Sequence, residues 1–169
     1  MNGGEVSNNA KQGVWVENGT FTLNGGKISQ NNHGVLMDSG TFNMTGGEVC
    51  YNTHTNDGAG VRVNGGTFNM SGGKIYNNTS NGTGSGTGGV RADGTFNMTG
   101  GEIYNNPSTI ACSQVLSLAT TAKITISGDA KITKTVDGSY SVNGYKGAIT
   151  ISGGTFAGVA NAKAEATLS

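Results

Sequence analysis

The sequence predicts an all-β fold, a single-stranded parallel β-helix (solenoid) of about seven rungs built on three short parallel sheets. Three observations predict this fold: one motif recurs along the chain, apolar residues alternate within each copy, and particular side chains keep the same place in every copy. The clearest copies are GTFTLNGGKISQNN (19–32), GTFNMTGGEVCYN (40–52), GTFNMSGGKIYNN (66–78) and GTFNMTGGEIYNN (94–106), and residues 123–132 and 148–156 are decayed copies.

Apolar side chains alternate along each copy, and alternation indicates a β-strand because successive side chains point to opposite faces. The inward columns are Phe21, Phe42, Phe68, Phe96, Ile124 and Ile149; Met1, Leu23, Met44, Met70, Met98, Ile126 and Ile151; Val6, Ile28, Val49, Ile75, Ile103, Ile132 and Phe156; and the pairs Val14/Val16, Val35/Met37, Val61/Val63 and Val90/Ala92. A Gly-Gly pair separates the second column from the third, and we expect it to turn a corner with positive φ. Each copy therefore supplies three strands, which make one rung.

Two polar columns are expected to hold the rungs in register. The first comprises Asn9, Asn31, Asn52, Asn78 and Asn106, unbroken until Thr135. Asparagine tolerates a left-handed backbone, and amides stacked at the ~4.8 Å strand spacing can bond from rung to rung as a ladder. The second column is charged and reads Glu5, Lys27, Glu48, Lys74 and Glu102, then Lys131 with a one-residue slip. Its alternating signs favour a single register.

Residues 1–169 are predicted to form a single β-helix domain, with regular rungs over 1–118 and diverged C-terminal rungs over 119–169. Met1 occupies an inward column, so the chain starts midway along a strand without the cap that a solenoid end requires. We therefore expect a fragment of a longer repeat protein, with end-to-end self-association through its uncapped ends. Residues 160–168 alternate alanine with other residues, which favours a last strand over a helix.

Composition narrows the classes of function. The chain has 31 Gly and a formal net charge of zero, but its glycines recur in register with apolar residues, which argues against disorder. A neutral chain offers no electrostatic footprint for nucleic acid, and no apolar run reaches the ~18–20 residues that insertion into a membrane needs. Cys50 and Cys112 stand at non-equivalent places in the repeat, so we expect two isolated thiols, without a disulfide or a metal site. No cofactor is expected.

At GTFNMTGGEIYNN (94–106) the sequence resembles the right-handed parallel β-helix repeats of large bacterial surface and secreted proteins. This group has the pectate-lyase-like fold and includes adhesin-like domains, and the resemblance covers essentially the whole chain. It implies a right-handed coil and an extracellular or cell-surface location. It also implies a host or cell-surface glycan or protein as the partner.

No catalytic residues are predicted. The resemblance implies that polysaccharide-cleaving relatives use clustered carboxylates with Arg or Lys in a groove along one face. The equivalent outward stripe here carries neither acid nor base: Thr20/Thr22/Asn24, Thr41/Asn43/Thr45, Thr67/Asn69/Ser71 and Thr95/Asn97/Thr99. We therefore expect a protein that is not an enzyme. The same grid suggests an ice- or crystal-binding face, but β-branched and small polar residues are typical of exposed strands, and we favour that interpretation.

The predicted ligand-binding site lies where the coil lengthens, because insertions in solenoids often emerge on the binding face. The longer segments are loops 53–60, 79–89 and 107–114, and the candidate residues are Tyr76 and Tyr104 in one outward column, Arg62 and Arg91 in another, and His54 and Asp57 in the first loop. Tyr and Arg are typical of recognition surfaces, and aromatic rings suit sugars. The alternative is that the two tyrosines only stabilise each other across rungs. His54 has no neighbours at ligand spacing, so no metal site is predicted.

These observations predict a non-enzymatic segment of an extracellular bacterial surface protein, which acts as a rigid spacer or as an adhesin-like binding module. The alternative is the non-catalytic portion of a carbohydrate-active protein that resembles polysaccharide lyases or hydrolases, with its catalytic rungs elsewhere. Stacked rungs predict the rigidity. The adhesive role is implied by the resemblance.

Overall fold

The fold was analysed in a computed structural model, which describes residues 1–55, 58–82, 86–108, 113–133, 140–144, 148–153, 155–156, 159–160 and 166–168. All paired strands are parallel, and they stack turn on turn into a β-solenoid without helices in these residues. Accordingly, none of the described segments is a helix long and apolar enough to cross a membrane.

Three parallel sheets run along the solenoid, and the chain visits each of them once per turn. Sheet A contains β1 (Glu5–Ser7), β4 (Lys27–Ser29), β7 (Glu48–Cys50), β11 (Lys74–Tyr76), β15 (Glu102–Tyr104), β18 (Lys131–Thr133) and β21 (Thr155–Phe156). Sheet B contains β2 (Val14–Val16), β5 (Val35–Met37), β9 (Val61–Val63), β13 (Val90–Ala92), β16 (Ser113–Ser117), β19 (Tyr140–Gly144) and β22 (Val159–Ala160). Sheet C contains β3 (Thr20–Leu23), β6 (Thr41–Met44), β10 (Thr67–Met70), β14 (Thr95–Met98), β17 (Lys123–Ile126), β20 (Ala148–Ile151) and β23 (Ala166–Leu168).

The predicted all-β parallel solenoid is confirmed, but the number of turns needs correction. The solenoid has about five turns that are described nearly throughout, rather than about seven. The difference lies in the diverged C-terminal copies, where the residues described beyond Thr133 are mainly short strands. The strand at Ala166–Leu168 agrees with the alternating pattern that favoured a strand over a helix.

The inward columns fill the interior of the coil in the predicted register. Phe42 pairs with Phe68 and Met44 with Met70, and all four side chains are buried. Along the column, the ring centroids of Phe42 and Phe68 lie 4.7 Å apart, and those of Phe68 and Phe96 lie 4.9 Å apart. Stacked aromatic pairs contribute about 0.5–1.5 kcal/mol beyond the area that they bury. The phenylalanine column therefore holds neighbouring turns together in addition to filling the core.

The Gly-Gly pairs turn the corner between sheet C and sheet A. The second glycine of each pair has a positive φ, which is 83° at Gly73. A Cβ atom at Gly73 would lie 2.7 Å from the carbonyl oxygen of Gly46 and 2.7 Å from Cε of Met44. Both the left-handed backbone and the close approach of the previous turn require glycine here.

Buried asparagines form the predicted ladder at the corner between sheet A and sheet B. Oδ1 of Asn78 accepts hydrogen bonds from the backbone N–H and from Nδ2 of Asn52, at 3.0 and 2.9 Å. Nδ2 of Asn78 donates to Oδ1 of Asn106 at 2.9 Å and to the carbonyl oxygen of Val49 at 2.9 Å. Asn31 and Asn52 bond in the same way. The pairing matters because an unsatisfied buried polar group costs about 1–3 kcal/mol.

Two details of the ladder differ from the prediction. The left-handed backbone belongs to the residue before each ladder asparagine, with φ between 51° and 59° at Asn8, Gln30, Tyr51, Asn77 and Asn105. This residue reverses the chain, so that the amide that follows can point inward. After Asn106 the ladder ends on Gln114, whose Oε1 accepts from the backbone N–H and Nδ2 of Asn106, both at 2.9 Å. Thr135, where the column was predicted to break, lies outside the described residues.

The charged column is in register along the whole of sheet A from Glu5 to Lys131. Lys131 keeps its predicted place in the column, because it pairs directly with Glu102 and the one extra residue lies in the turn 127–130. Glu102 lies 3.7 Å from Nζ of Lys74 and 3.5 Å from Nζ of Lys131. These side chains are well exposed, so each pair contributes at most about 1 kcal/mol.

A fourth, two-stranded parallel sheet was not predicted. It consists of β8 (Thr53–His54) and β12 (Thr79–Ser80), and Ser80 forms a further bridge with Ser108. The roots of the three predicted loops therefore stack on each other in line with the turns. Strands of two residues are too short to show a periodic pattern in a sequence.

Replacement of Asn78 by alanine is expected to lower the free energy of unfolding by about 3 kcal/mol, because buried groups of Asn52 and Val49 lose their partner. Denaturant unfolding followed by circular dichroism measures the change. Asn69→Ala is the matched control, because Asn69 also bonds asparagines of neighbouring turns but lies on the outer face of sheet C. Its expected cost is below about 1 kcal/mol. Equal losses in both variants would contradict the structural role of the buried ladder.

Replacement of Gly73 by alanine is expected to destabilise the protein by more than about 2 kcal/mol, because a side chain at positive φ would also collide with Gly46. Gly3→Ala serves as the control, since a Cβ atom at Gly3 meets nothing within 4 Å. Thermal unfolding of both variants provides the comparison. Similar midpoints would show that the corner tolerates a side chain.

Candidate functional site

The two tyrosines of the predicted site stack across turns on the outer face of sheet A. Tyr76 and Tyr104 pair in register, with ring centroids 5.2 Å apart and ring planes only 4° apart. The hydroxyl of Tyr76 donates to Oε2 of Glu48 at 2.9 Å. Burial, together with hydrogen bonds to Cys50 and Glu48, raises the pKa of Tyr76 well above its ordinary value. This pair therefore takes part in the contacts between turns.

The two arginines of the predicted site lie on a different sheet. Arg62 and Arg91 pair in register on the outer face of sheet B. Nε of Arg62 donates to Oδ1 of Asn64 at 2.7 Å, and Nε of Arg91 donates to Oδ2 of Asp93 at 2.7 Å. Gly58 packs over both arginines, since a Cβ atom on it would lie 3.1 Å from the Cβ of each. The tyrosine and arginine columns thus belong to separate sheets, and Gly58 of the first loop packs against the arginine column.

His54 stacks on a second histidine, His33, that the sequence did not single out. The ring centroids of His33 and His54 lie 3.6 Å apart, with 27° between the ring planes. His33 is buried, and its Nδ1 donates to the carbonyl oxygen of Gly58 at 3.0 Å. The positive charge of Arg62 acts on the same ring. The structure therefore brings His54 and Arg62 together around His33, whereas Asp57 lies outside the described residues.

A surface cleft of about 420 Å³ opens beside the stacked histidines. Its apolar wall consists of Trp15 and Leu36, which pair in register on the outer face of sheet B. The polar part of the lining comprises Lys11, Gln12, Asn32, His33 and His54. We call this feature the Trp15 cleft. Its size lies within the range of about 300–1,000 Å³ that is typical of small-molecule sites.

Hydrogen bonds that cross three turns hold the ring of Trp15 in place. Trp15 is 58% exposed, and its indole N–H donates to Oδ2 of Asp38 at 2.7 Å. Oδ1 of Asp38 accepts from Nδ2 of Asn64 at 2.9 Å, and Asn64 in turn accepts from Arg62. The bonds from Asn64 and Trp15 lower the pKa of Asp38. Arg62, a predicted site residue, therefore supports the tryptophan through Asn64 and Asp38.

Electrostatics keep His33 neutral at ordinary pH. Burial, the neighbouring His54 and the charge of Arg62 lower the pKa of His33 from 6.5 to about 4, although the bond to Gly58 acts in the opposite direction. Because a carbonyl oxygen can only accept, Nδ1 carries the single proton of the neutral ring. Nε2 then presents a lone pair, so the ring can accept one hydrogen bond.

The outer face of sheet C carries a second set of paired asparagines. Nδ2 of Asn69 donates to Oδ1 of Asn43 at 3.0 Å, and Nδ2 of Asn97 donates to Oδ1 of Asn69 at 2.9 Å. These amides direct hydrogen bonds along the face, from one turn to the next. This arrangement supports the interpretation of the Thr/Asn grid as an ordinary exposed strand surface.

Cys50 is a buried free thiol, and burial raises its pKa. Cys112, the second predicted thiol, lies outside the described residues. Within the part of the chain that the structure describes, no three side chains of His, Cys, Asp or Glu are grouped so that they could hold a metal ion.

Comparison with known proteins gives no identification. No protein family, no curated protein and no solved structure matches this chain. Its geometry separates the Trp15 cleft from the tyrosine and arginine columns that the sequence singled out.

The lowered pKa of His33 predicts a loss of stability in acid. Between pH 6.5 and about 4 the unfolded chain binds more protons at this residue than the folded chain, so the free energy of unfolding falls as the pH is lowered. We expect a loss of up to roughly 3 kcal/mol between pH 7 and pH 4. His33→Asn removes the titrating ring and suits the φ of 74° at this position, so it should reduce the loss. Urea unfolding midpoints at pH 7 and pH 4 measure this loss in the original protein and in the variant. An equal loss in the two proteins would refute the assignment to His33.

Proposed function

We propose that this chain is a rigid, non-enzymatic module of an extracellular bacterial surface protein, which acts as a spacer and as an adhesin-like binding surface. The observation that carries the proposal is the hydrogen-bonded ladder, which ties each turn to the next through Asn31, Asn52, Asn78 and Asn106. A spacer needs resistance to bending between its units. Hydrogen bonds between the buried side-chain amides of successive turns supply that resistance.

Rigidity follows from the way in which the turns are joined. Each turn is bonded to its neighbours in three sheets and at the asparagine corner. Turns rise by about 4.8 Å, so five of them span roughly 25 Å. In a solenoid each unit contacts mainly its neighbours, so further turns extend the rod without changing its cross-section.

The outer face of sheet B supports a binding role. Its outward column is not uniform: it reads Trp15 and Leu36 on the first two turns and Arg62 and Arg91 on the next two, although the backbone pairing stays in register. The outward column of sheet C, by comparison, repeats Thr and Asn. A side chain that differs between turns, on strands that keep their register, is not required for the stacking of the turns. The resemblance to repeats of bacterial surface and secreted proteins supports the extracellular location.

The alternative function is the non-catalytic portion of a carbohydrate-active protein. The Trp15 cleft favours it, because an exposed indole beside polar side chains suits a sugar ring. In this alternative the chain would present a polysaccharide to catalytic turns elsewhere in a longer protein.

The proposed location is tested by antibody labelling of the bacterial cells that produce the protein. Antibodies against the 169-residue chain are expected to label intact cells, whereas antibodies against a cytoplasmic enzyme should label only permeabilised cells. Labelling that requires permeabilisation would contradict a surface role.

Incubation of the protein with pectin and xylan tests the proposal that the module is not an enzyme. Release of new reducing ends from either polysaccharide would contradict it.

A further inference from the structure

We propose that the Trp15 cleft binds a pyranose unit of a glycan, with the apolar face of the sugar ring against the indole of Trp15. The proposal rests on the binding role proposed above, which it narrows to one ligand class at one place. The residues that line the cleft include neither the tyrosines of sheet A nor the arginines of sheet B.

Trp15 is exposed and held in one orientation. Trp15 is the only tryptophan in the chain, and it is 58% exposed on a strand whose inward neighbour Val16 is buried. A large exposed aromatic side chain on a rigid sheet is typical of a recognition surface. The bond from its indole N–H to Asp38 fixes the ring before a ligand arrives. A ligand therefore does not have to order this side chain, and that lowers the entropic cost of binding.

The chemistry of the cleft lining suits a sugar ring. A pyranose ring presents a flat face of C–H groups surrounded by hydroxyl groups, so its site needs one apolar wall and several donors and acceptors around it. Trp15 and Leu36 supply the wall. The ammonium group of Lys11 donates, and the amides of Gln12 and Asn32 can both donate and accept.

His33 also lines the cleft, and its ring is held in one orientation. Its Nδ1–H is held by the carbonyl oxygen of Gly58, and its ring is stacked on His54. The remaining nitrogen is therefore an oriented acceptor, which suits a sugar hydroxyl because a hydroxyl can donate to it. A fixed acceptor and a fixed aromatic ring in the same cleft provide the polar and apolar groups of a small-ligand site.

The charge of the lining distinguishes two kinds of glycan. Among the residues that the structure describes, those that line the cleft include the cation Lys11 and no carboxylate. A uronic acid sugar carries a carboxylate that Lys11 can pair with, in addition to the ring face that any pyranose offers. We therefore expect both neutral and acidic glycans to bind, and the acidic glycan to bind more tightly.

Intrinsic fluorescence tests the proposal directly, because Trp15 is the only tryptophan. The 169-residue protein is titrated with cellohexaose as the neutral probe and with hexagalacturonate as the acidic probe, each up to about 10 mM. We expect a saturable change in emission with at least one probe. Absence of a saturable change with both probes overturns the proposal.

Variants then place the binding in the cleft. Trp15→Ala is expected to reduce the affinity at least about tenfold in calorimetry, and Trp15→Phe to restore part of it. Lys11→Ala should weaken binding of hexagalacturonate several-fold more than binding of cellohexaose. Lys123→Ala, on the outer face of sheet C, is the matched lysine control. It should leave the affinity for both probes unchanged. Affinities that Trp15→Ala leaves unchanged would overturn the proposal, while the antibody labelling of intact cells would be unaffected by that result.

Discussion

The structure depends on one constraint, which is that each turn must rise by the spacing of neighbouring parallel strands. Amide groups inside the coil can bond from turn to turn only at that spacing of about 4.8 Å. Asn52, Asn78 and Asn106 satisfy the constraint with bonds of 2.9–3.1 Å to neighbouring side chains and backbone. Because these groups are buried, a slip by one residue would leave several of them unpaired at once. Register is therefore enforced far more strongly at this corner than by the exposed charges of sheet A.

The other repeated features follow from this spacing. Phenylalanine rings on successive turns come within stacking distance because their strands are neighbours in register. The corner glycines are needed because the previous turn passes close to them. At Gly73, for example, even a methyl group would collide with the carbonyl oxygen of Gly46. The alternating charges of Glu102, Lys74 and Lys131 meet because the same register places them side by side. Length can vary only where a segment leaves the stack, which is why the insertions emerge as loops.

Repetition explains how much of the fold could be predicted from the sequence. A side chain that recurs in every copy at the same place has to stack on itself, so the inward columns and the asparagine ladder could be placed before any coordinates. The role of Gln114 could not be predicted in this way. It lies only eight residues after Asn106, yet its side chain takes the place that an asparagine of the next turn would have in the ladder. Lys131 could be placed in the charged column despite the longer turn before it, because its neighbour Ile132 continues the inward Ile/Val column.

The candidate site could not be placed because its residues occur once. His33, Trp15 and Leu36 belong to no repeated column of identical side chains, and His33 meets His54 and Gly58 only because consecutive turns lie side by side. The tyrosines and arginines attracted attention because they recur, yet recurrence in a solenoid indicates stacking first, as the parallel rings of Tyr76 and Tyr104 show. Where the backbone repeats, a recognition residue is to be sought among the side chains that break the pattern on an ordered strand. Trp15 meets that description, since its strand keeps register with the next turn while its indole remains exposed to solvent.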